Sequence, residues 1–174
     1  MTQSDRYHTG TEKFYPEIHE INSLAFGQEN EARLVENLRK SRSFDFQLSL
    51  VAIKEGRVVG HILFSPITIR TERGAVPAVA LAPMAVHPEF QNQGIGSKLV
   101  REGLEQCRKL GHKIVVVVGH PDYYPRFGFA SARVKGLEAP FPVPDEAFMV
   151  EELEGGALDG TVGMVEYPPE FDGV

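Results

Sequence analysis

The chain contains one cysteine, Cys107, and no lysine or arginine after Lys135. A single thiol excludes an intramolecular disulfide and every cysteine-rich zinc site, so no metal is expected. No apolar run approaches the roughly 20 residues of a membrane-spanning helix. The N-terminal MTQSDRYHTG also lacks the apolar core of a secretory leader. These absences set the expectation of a cytoplasmic protein without a membrane partner. The pattern GxxxxGK[ST] is missing too, which excludes the phosphate loop of the P-loop NTPases. Internal repeats and low-complexity tracts are absent. The missing late cations make the charge lopsided. Net charge is −6, yet all 18 Lys and Arg fall in the first 135 residues, against 14 acids there, and 10 acids follow. That balance argues against nucleic acid as a partner. The acidic stretch either borders a site for a cationic substrate or is a solvated surface.

What is present is the composition of a globular domain. With 174 residues, 42% hydrophobic and 24% charged, the chain can bury a sizeable core. No linker divides it, so residues 1–174 read as a single domain. TEKFY reads as a short strand. Pro16 suits the first turn of a helix, in which Ile18, Ile21, Leu24 and Ala25 recur at helical spacing up to Gly27. Glu29 to Lys40 reads as a second helix on Ala32, Leu34, Val35 and Leu38. LSLVAIKEGRVVGHILFSPITI reads as a hairpin turning at Glu55-Gly56. Thr71 to Val76 form a polar turn, and Ala78 to Val86 a largely apolar strand. Pro83 interrupts that strand and predicts a bulge or splay there, since proline cannot donate a ladder hydrogen bond. Ile95 to Leu110 reads as a helix, and HKIVVVVGH as a buried parallel strand. Phe129–Lys135, Ala147–Leu153 and Thr161–Tyr167 are further predicted strands.

The junction between Ala78 and Gly111 is the most informative stretch. An apolar strand runs through HPEFQNQGIG into a helix whose first turn carries Gly94 and Gly96. Amides at a helix start lack intrahelical partners and favour an anion, and glycine lets a phosphate approach them. A dinucleotide fingerprint does not fit. Leu99 stands where a third glycine belongs, and Gly119-His120 where the next strand should end in an acid.

These residues resemble the acyl-CoA-binding core of the GNAT superfamily of N-acetyltransferases. Gln91, Gly94 and Gly96 fill its [Gln/Arg]-x-x-Gly-x-[Gly/Ala] pattern. Downstream, Tyr123-Tyr124-Pro125-Arg126-Phe127-Gly128-Phe129 is similar to its late Tyr-x-x-x-Gly-Phe segment. The resemblance implies an α/β (α+β) fold, a mixed, centrally splayed sheet flanked by helices, with the acyl-CoA-binding core at about residues 78–130. It implies acetyl-CoA as cosubstrate. The amides of Gln91, Asn92, Gln93, Gly94, Ile95, Gly96 and Ser97 are expected on its pyrophosphate, and the backbone of Met84, Ala85 and Val86 on its pantetheine arm. Ile95 is expected to point inward as an anchor. Lys98, Arg101, Arg108, Lys109 and Lys113 read mainly as a solvated helix face.

The implied reaction moves the acetyl group to a primary amine of a small molecule or peptide by direct attack. Tyr124 matches the family tyrosine that protonates the leaving thiolate, with Tyr123 as the alternative if the register shifts by one. No motif identifies the base. Glu31, at the start of the second helix, and His120, after the apolar strand, are the candidates. Cys107 reads as core. Two other classes stand beside the enzyme: a noncatalytic acyl-CoA-binding sensor or regulatory module, and a structural domain that has lost the cofactor. A homodimer is left open.

Overall fold

The computed structural model describes residues 6–172. Residues 1–5, on which part of the leader reading rests, lie outside the described residues. The described chain forms two compact units. The first holds the residues up to Ser65, Ala82–Gln106 and the residues from Glu170 on. The second holds Pro66–Leu81 and Cys107–Pro169.

The first unit begins with strand β1 (Arg6–Thr9), then helices α1 (Tyr15–Phe26) and α2 (Asn30–Arg39) and strand β2 (Ser49–Lys54). Strands β3 (Arg57–Thr71) and β4 (Gly74–Val86) and helix α3 (Ile95–Lys109) each have residues in both units. The second unit adds β5 (Ile114–Val118), β6 (Ala130–Ser131), β7 (Leu137–Glu138), β8 (Phe148–Glu152) and β9 (Gly163–Glu166). Strand pairing runs β1-β2-β3-β4-β5-β8-β6, with β9 joining β3 to β7. The pairing is mixed: β4 and β5 run parallel with Val79↔Val115 and Ala80↔Val116, whereas β5 and β8 run antiparallel. The parallel register thus lies ahead of Pro83.

Local chemistry explains most of these elements. The β2–β3 turn places Glu55 at φ 52 and Gly56 at φ 76, the left-handed pair that matches the twist of a two-residue hairpin. Pro16 sits in the first turn of α1, and Gly27 closes that helix at φ 66. Ile18 and Ile21 of α1 pack with Leu34, Val35 and Leu38 of α2 and with Val51 of β2. The IVVVV run of β5 is β-branched throughout and buried from Ile114 to Val117, as a strand paired on both sides should be.

The structure corrects three local expectations. TEKFY is not a strand: Gly10 N–H donates to Ser49 O at 2.7 Å, and Phe14 N–H then donates to Thr11 O, turning the chain into α1. The strand lies upstream, at Arg6–Thr9. The predicted strand Phe129–Lys135 shrinks to Ala130–Ser131. The Arg133 guanidinium instead donates to Val143 O and pairs with Glu138 and Asp145, which anchors a loop. Leu24 is exposed, and Asn22 occupies the buried face of α1 in its place.

Asn22 explains that exchange. Its Nδ2 donates to Ile18 O at 2.9 Å and reaches His61 Nδ1 at 3.2 Å. His61 Nδ1 must therefore accept, and Nε2 carries its proton toward Ser49 Oγ at 3.1 Å. Burial, helped by the charge of Arg39, pushes His61 down to about 3. The imidazole is therefore a neutral, fully bonded core group.

Candidate active site

The helix-start loop belongs to the first unit. From the end of β4, His87 N–H donates to Val59 O at 2.8 Å, and a short 3₁₀ turn covers Pro88–Phe90. Gln91 Nε2 reaches back to Val86 O at 3.1 Å, tying the loop to the strand it leaves. Asn92 and Gly94 take positive φ values of 63 and 84. A Cβ added at Gly94 would meet nothing within 4 Å. That space lies open beside exposed backbone. Gln91, Asn92, Gln93 and Gly94 are exposed, while Ile95 is buried at 3% exposure.

Close packing holds this loop. A Cβ at Gly60 on β3 would stand 2.8 Å from Leu99 Cδ1 and 3.2 Å from Ile95 Cγ2. One at Gly103 on α3 would overlap the Phe64 ring. Both glycines let α3 sit tightly on the sheet and fix where its first turn points. Cations gather at the loop. Lys54 Nζ donates to Gln93 Oε1 at 3.2 Å. Lys54 and Arg57 also stand 5.8 and 5.7 Å from the Phe90 ring centre. No acid occurs between Gln91 and Arg101. Open space, exposed amides and positive charge together fit a pyrophosphate.

The aromatic turn belongs to the second unit. Tyr124–Phe127 form a 3₁₀ turn after β5, closed by Gly128 at φ 102. Tyr124 is 8% exposed, with Tyr123, Phe127 and Phe129 rings against it at 5.1, 6.5 and 5.7 Å. A Cβ at Gly119 would overlap the Tyr124 ring, so the glycine at the end of β5 makes room for it. Burial raises the Tyr124 phenol well above the ordinary tyrosine range, and the nearby Tyr123 adds to the shift. The phenol stays protonated across neutral pH. On the other side of the turn, a Cβ at Gly128 would stand 2.5 Å from Glu151 Oε1.

The family model for the acetyltransferase (GNAT) domain matches residues 6–132. The chain belongs to the GNAT family. It is thus an acetyl-CoA-dependent N-acetyltransferase, with acetyl-CoA as its cosubstrate. Relatives agree along most of the chain. The N-acetyltransferase YjhQ of Escherichia coli K12 is 45% identical over 131 residues, covering 75% of this chain and 72% of its own. YhbS of the same strain is 37% identical over 158 residues, covering 90% and 92%. The crystal structure of E. coli YhbS in complex with CoA superposes with a TM-score of 0.87 at 33% identity, covering 97% and 91%. A GNAT acetyltransferase from Brucella melitensis in complex with acetyl-CoA gives 0.80 at 30% identity, covering 97% and 99%.

The remaining candidates of this GNAT enzyme lie apart in kind. Glu31 is 8% exposed in the first turn of α2. Gln28 Nε2 donates to both of its oxygens, at 2.6 and 3.1 Å. His120 is exposed, and its carbonyl accepts from Tyr123 and Tyr124 N–H at 3.1 and 3.4 Å. His120 therefore shapes the aromatic turn through its backbone. Cys107 is fully buried, and burial pushes its thiol up to about 12, as befits a core residue. Among the described residues no group of three or more His, Cys, Asp or Glu could hold a metal ion. No described helix is long and apolar enough to cross a membrane.

Several contributors escape sequence reasoning. Lys54 reaches Gln93 from the far side of the hairpin turn, 39 residues away. Gly60, Gly103 and Gly119 matter only through what faces them. The acidic stretch after Lys135 is also partly neutralised: Glu138 and Asp145 pair with Arg133, Glu154 with Lys113 and Glu166 with Arg70. Its field is weaker than the count of acids suggests.

Proposed function

We propose that this acetyltransferase moves the acetyl group of acetyl-CoA to a primary amine of a small molecule or peptide by direct attack. The observation that carries the reading is the open, cation-flanked space at Gly94 on the first turn of α3. In this reading the amides of Gln91 to Ser97 hold the pyrophosphate and Ile95 anchors them from beneath. The backbone of Met84, Ala85 and Val86 pairs with the pantetheine amides, as a peptide adds to a strand. An N–H near Ala85 or Val86 polarises the thioester carbonyl.

The amine loses a proton to Glu31 or His120, directly or through a water. Its lone pair then forms the C–N bond as the C–S bond breaks. Tyr124 gives its phenolic proton to the departing thiolate, and the surplus proton that the nitrogen sheds as the C–N bond forms restores the phenol. Loss of turnover with acetyl-CoA affinity kept, in Glu31→Gln or in His120→Asn, assigns the base. Glu31 has no cationic partner among the described residues, and four of the ten late acids are paired. That balance favours a neutral or cationic acceptor over an amino-dicarboxylate.

The test is release of free CoA thiol from acetyl-CoA across an amine panel that includes a diamine and glutamate, at low and high salt. The diamine is expected to react faster, with its advantage shrinking as salt screens the field. A salt-insensitive preference for glutamate overturns the acceptor reading. CoA binding without thiol release for any amine overturns the enzyme reading and leaves an acyl-CoA-binding module.

A further inference from the structure

A groove of about 520 Å³ lies between the start of α1 and the end of α2, lined by Tyr15, Pro16, His19, Glu36, Arg39 and Lys40. None of these residues takes part in the acetyl-transfer chemistry above. The volume is that of a small-molecule site.

Arg39 is its distinctive member. The guanidinium carbon stands 3.4 Å from the centre of the Tyr15 ring. At that distance the guanidinium rests on the ring, which restrains it. Burial works against the Arg39 charge, and the charges of Tyr15 and Glu36 oppose the loss. Yet among the described residues no carboxylate pairs with Arg39. Glu36 commits Oε1 to His19 Nδ1 at 2.6 Å, and Glu29 lies on the other nitrogen of His19, at 3.8 Å. A half-buried guanidinium held on a ring, with no carboxylate partner among the described residues, is prepared for an oxyanion that accepts from its paired N–H groups. Lys40 adds a second positive charge at the rim, while Tyr15 and Pro16 supply an apolar wall.

We infer that this groove binds a small organic acid: a carboxylate or phosphate on the Arg39 edge and Lys40, with an apolar body against Tyr15 and Pro16. A bare inorganic anion would use the fork and leave the wall and most of the volume unused.

Titration calorimetry on the intact protein tests this with phenylacetate and phenyl phosphate. Phenylacetamide serves as the uncharged isostere and inorganic phosphate as the anion without a body. Both aromatic acids are expected to saturate one site, more weakly as salt rises, and their relative affinity tells carboxylate from phosphate. Arg39→Met should weaken them about tenfold or more, because a charge-assisted fork is lost. It should leave CoA affinity unchanged, which also reports that the variant is folded. Arg39→Lys keeps the charge without the fork and should fall between, so it carries the test if Arg39→Met does not fold. Amide shifts on titration should cluster at residues 13–19 and 36–41. Equal binding of phenylacetamide overturns the proposal, as does inorganic phosphate binding as tightly as phenyl phosphate. Unchanged affinity in a folded Arg39→Met protein, or shifts clustered elsewhere, does the same.

Discussion

The helix-start loop and the aromatic turn use glycine in opposite ways. At Gly94 the space a side chain would fill is empty, and the backbone beside it is exposed. At Gly119 that space is filled by the ring of Tyr124. The first glycine faces open space, and the second makes room for a ring of the protein itself. In the proposed reading the loop acts through backbone amides that any sequence of the right shape can present. In the proposed reading the turn acts through one hydroxyl that only tyrosine supplies. Damage to the loop should therefore appear in cofactor affinity, and damage to the turn in turnover or stability.

The largest effect is expected at the turn. Tyr124→Phe should lower kcat by about 10²–10⁴-fold, the usual worth of a positioned general acid. Acetyl-CoA affinity should stay nearly constant, because the hydroxyl acts in the transition state. Tyr123→Phe should be mild; if it is the damaging change and Tyr124→Phe is silent, the roles of the two tyrosines are exchanged. The raised pKa adds a sign. Ionisation removes the donor proton, and burial delays that ionisation. The part of the activity that depends on Tyr124 should therefore persist above pH 10, the ordinary tyrosine value. A basic limb well below that value, abolished by Tyr124→Phe, breaks the assignment.

Next comes the loop. Gly94→Asp should weaken CoA binding about 10²–10³-fold, since a like charge facing the pyrophosphate costs several kcal/mol. The protein itself should fold, because the site is sterically open and aspartate tolerates the left-handed region better than most residues. Equal CoA affinity in the folded variant, read by calorimetry, removes the pyrophosphate from this helix start.

The smallest effects separate the two glycines directly. Gly119→Ala should destabilise by about 1–3 kcal/mol, since the added methyl overlaps the Tyr124 ring. Gly94→Ala meets no atom and should cost only about 1 kcal/mol for its positive φ. Thermal unfolding of the two variants side by side checks the order. The reverse order breaks the comparison on which the two roles rest.

Much of this was legible before any fold was known. The positions of α1, α2, the Glu55-Gly56 hairpin, α3 and β5 follow from periodicity, Pro16, Gly27 and β-branching, because those signals are local. Gln91, Gly94 and Gly96 mark the GNAT family pattern for the same reason. The misreadings fall where a distant partner wins. TEKFY turns because Gly10 leaves the sheet at Ser49. Phe129–Lys135 unravels because Arg133 finds acids and a carbonyl several residues on.

The sequence by itself determined the order of the elements from α1 to β5, the glycine-bearing helix start and the tyrosine that follows the apolar strand, since each is written in neighbouring residues. Only the tertiary structure decided that Gly60 and Gly103 seat α3 and that Lys54 reaches Gln93. The same holds for the neutral His61 buried between Asn22 and Ser49, and for Arg39 stacked on Tyr15 without a carboxylate partner among the described residues. These depend on groups brought together from separate parts of the chain, where burial and contact, rather than spacing, set what a side chain can do.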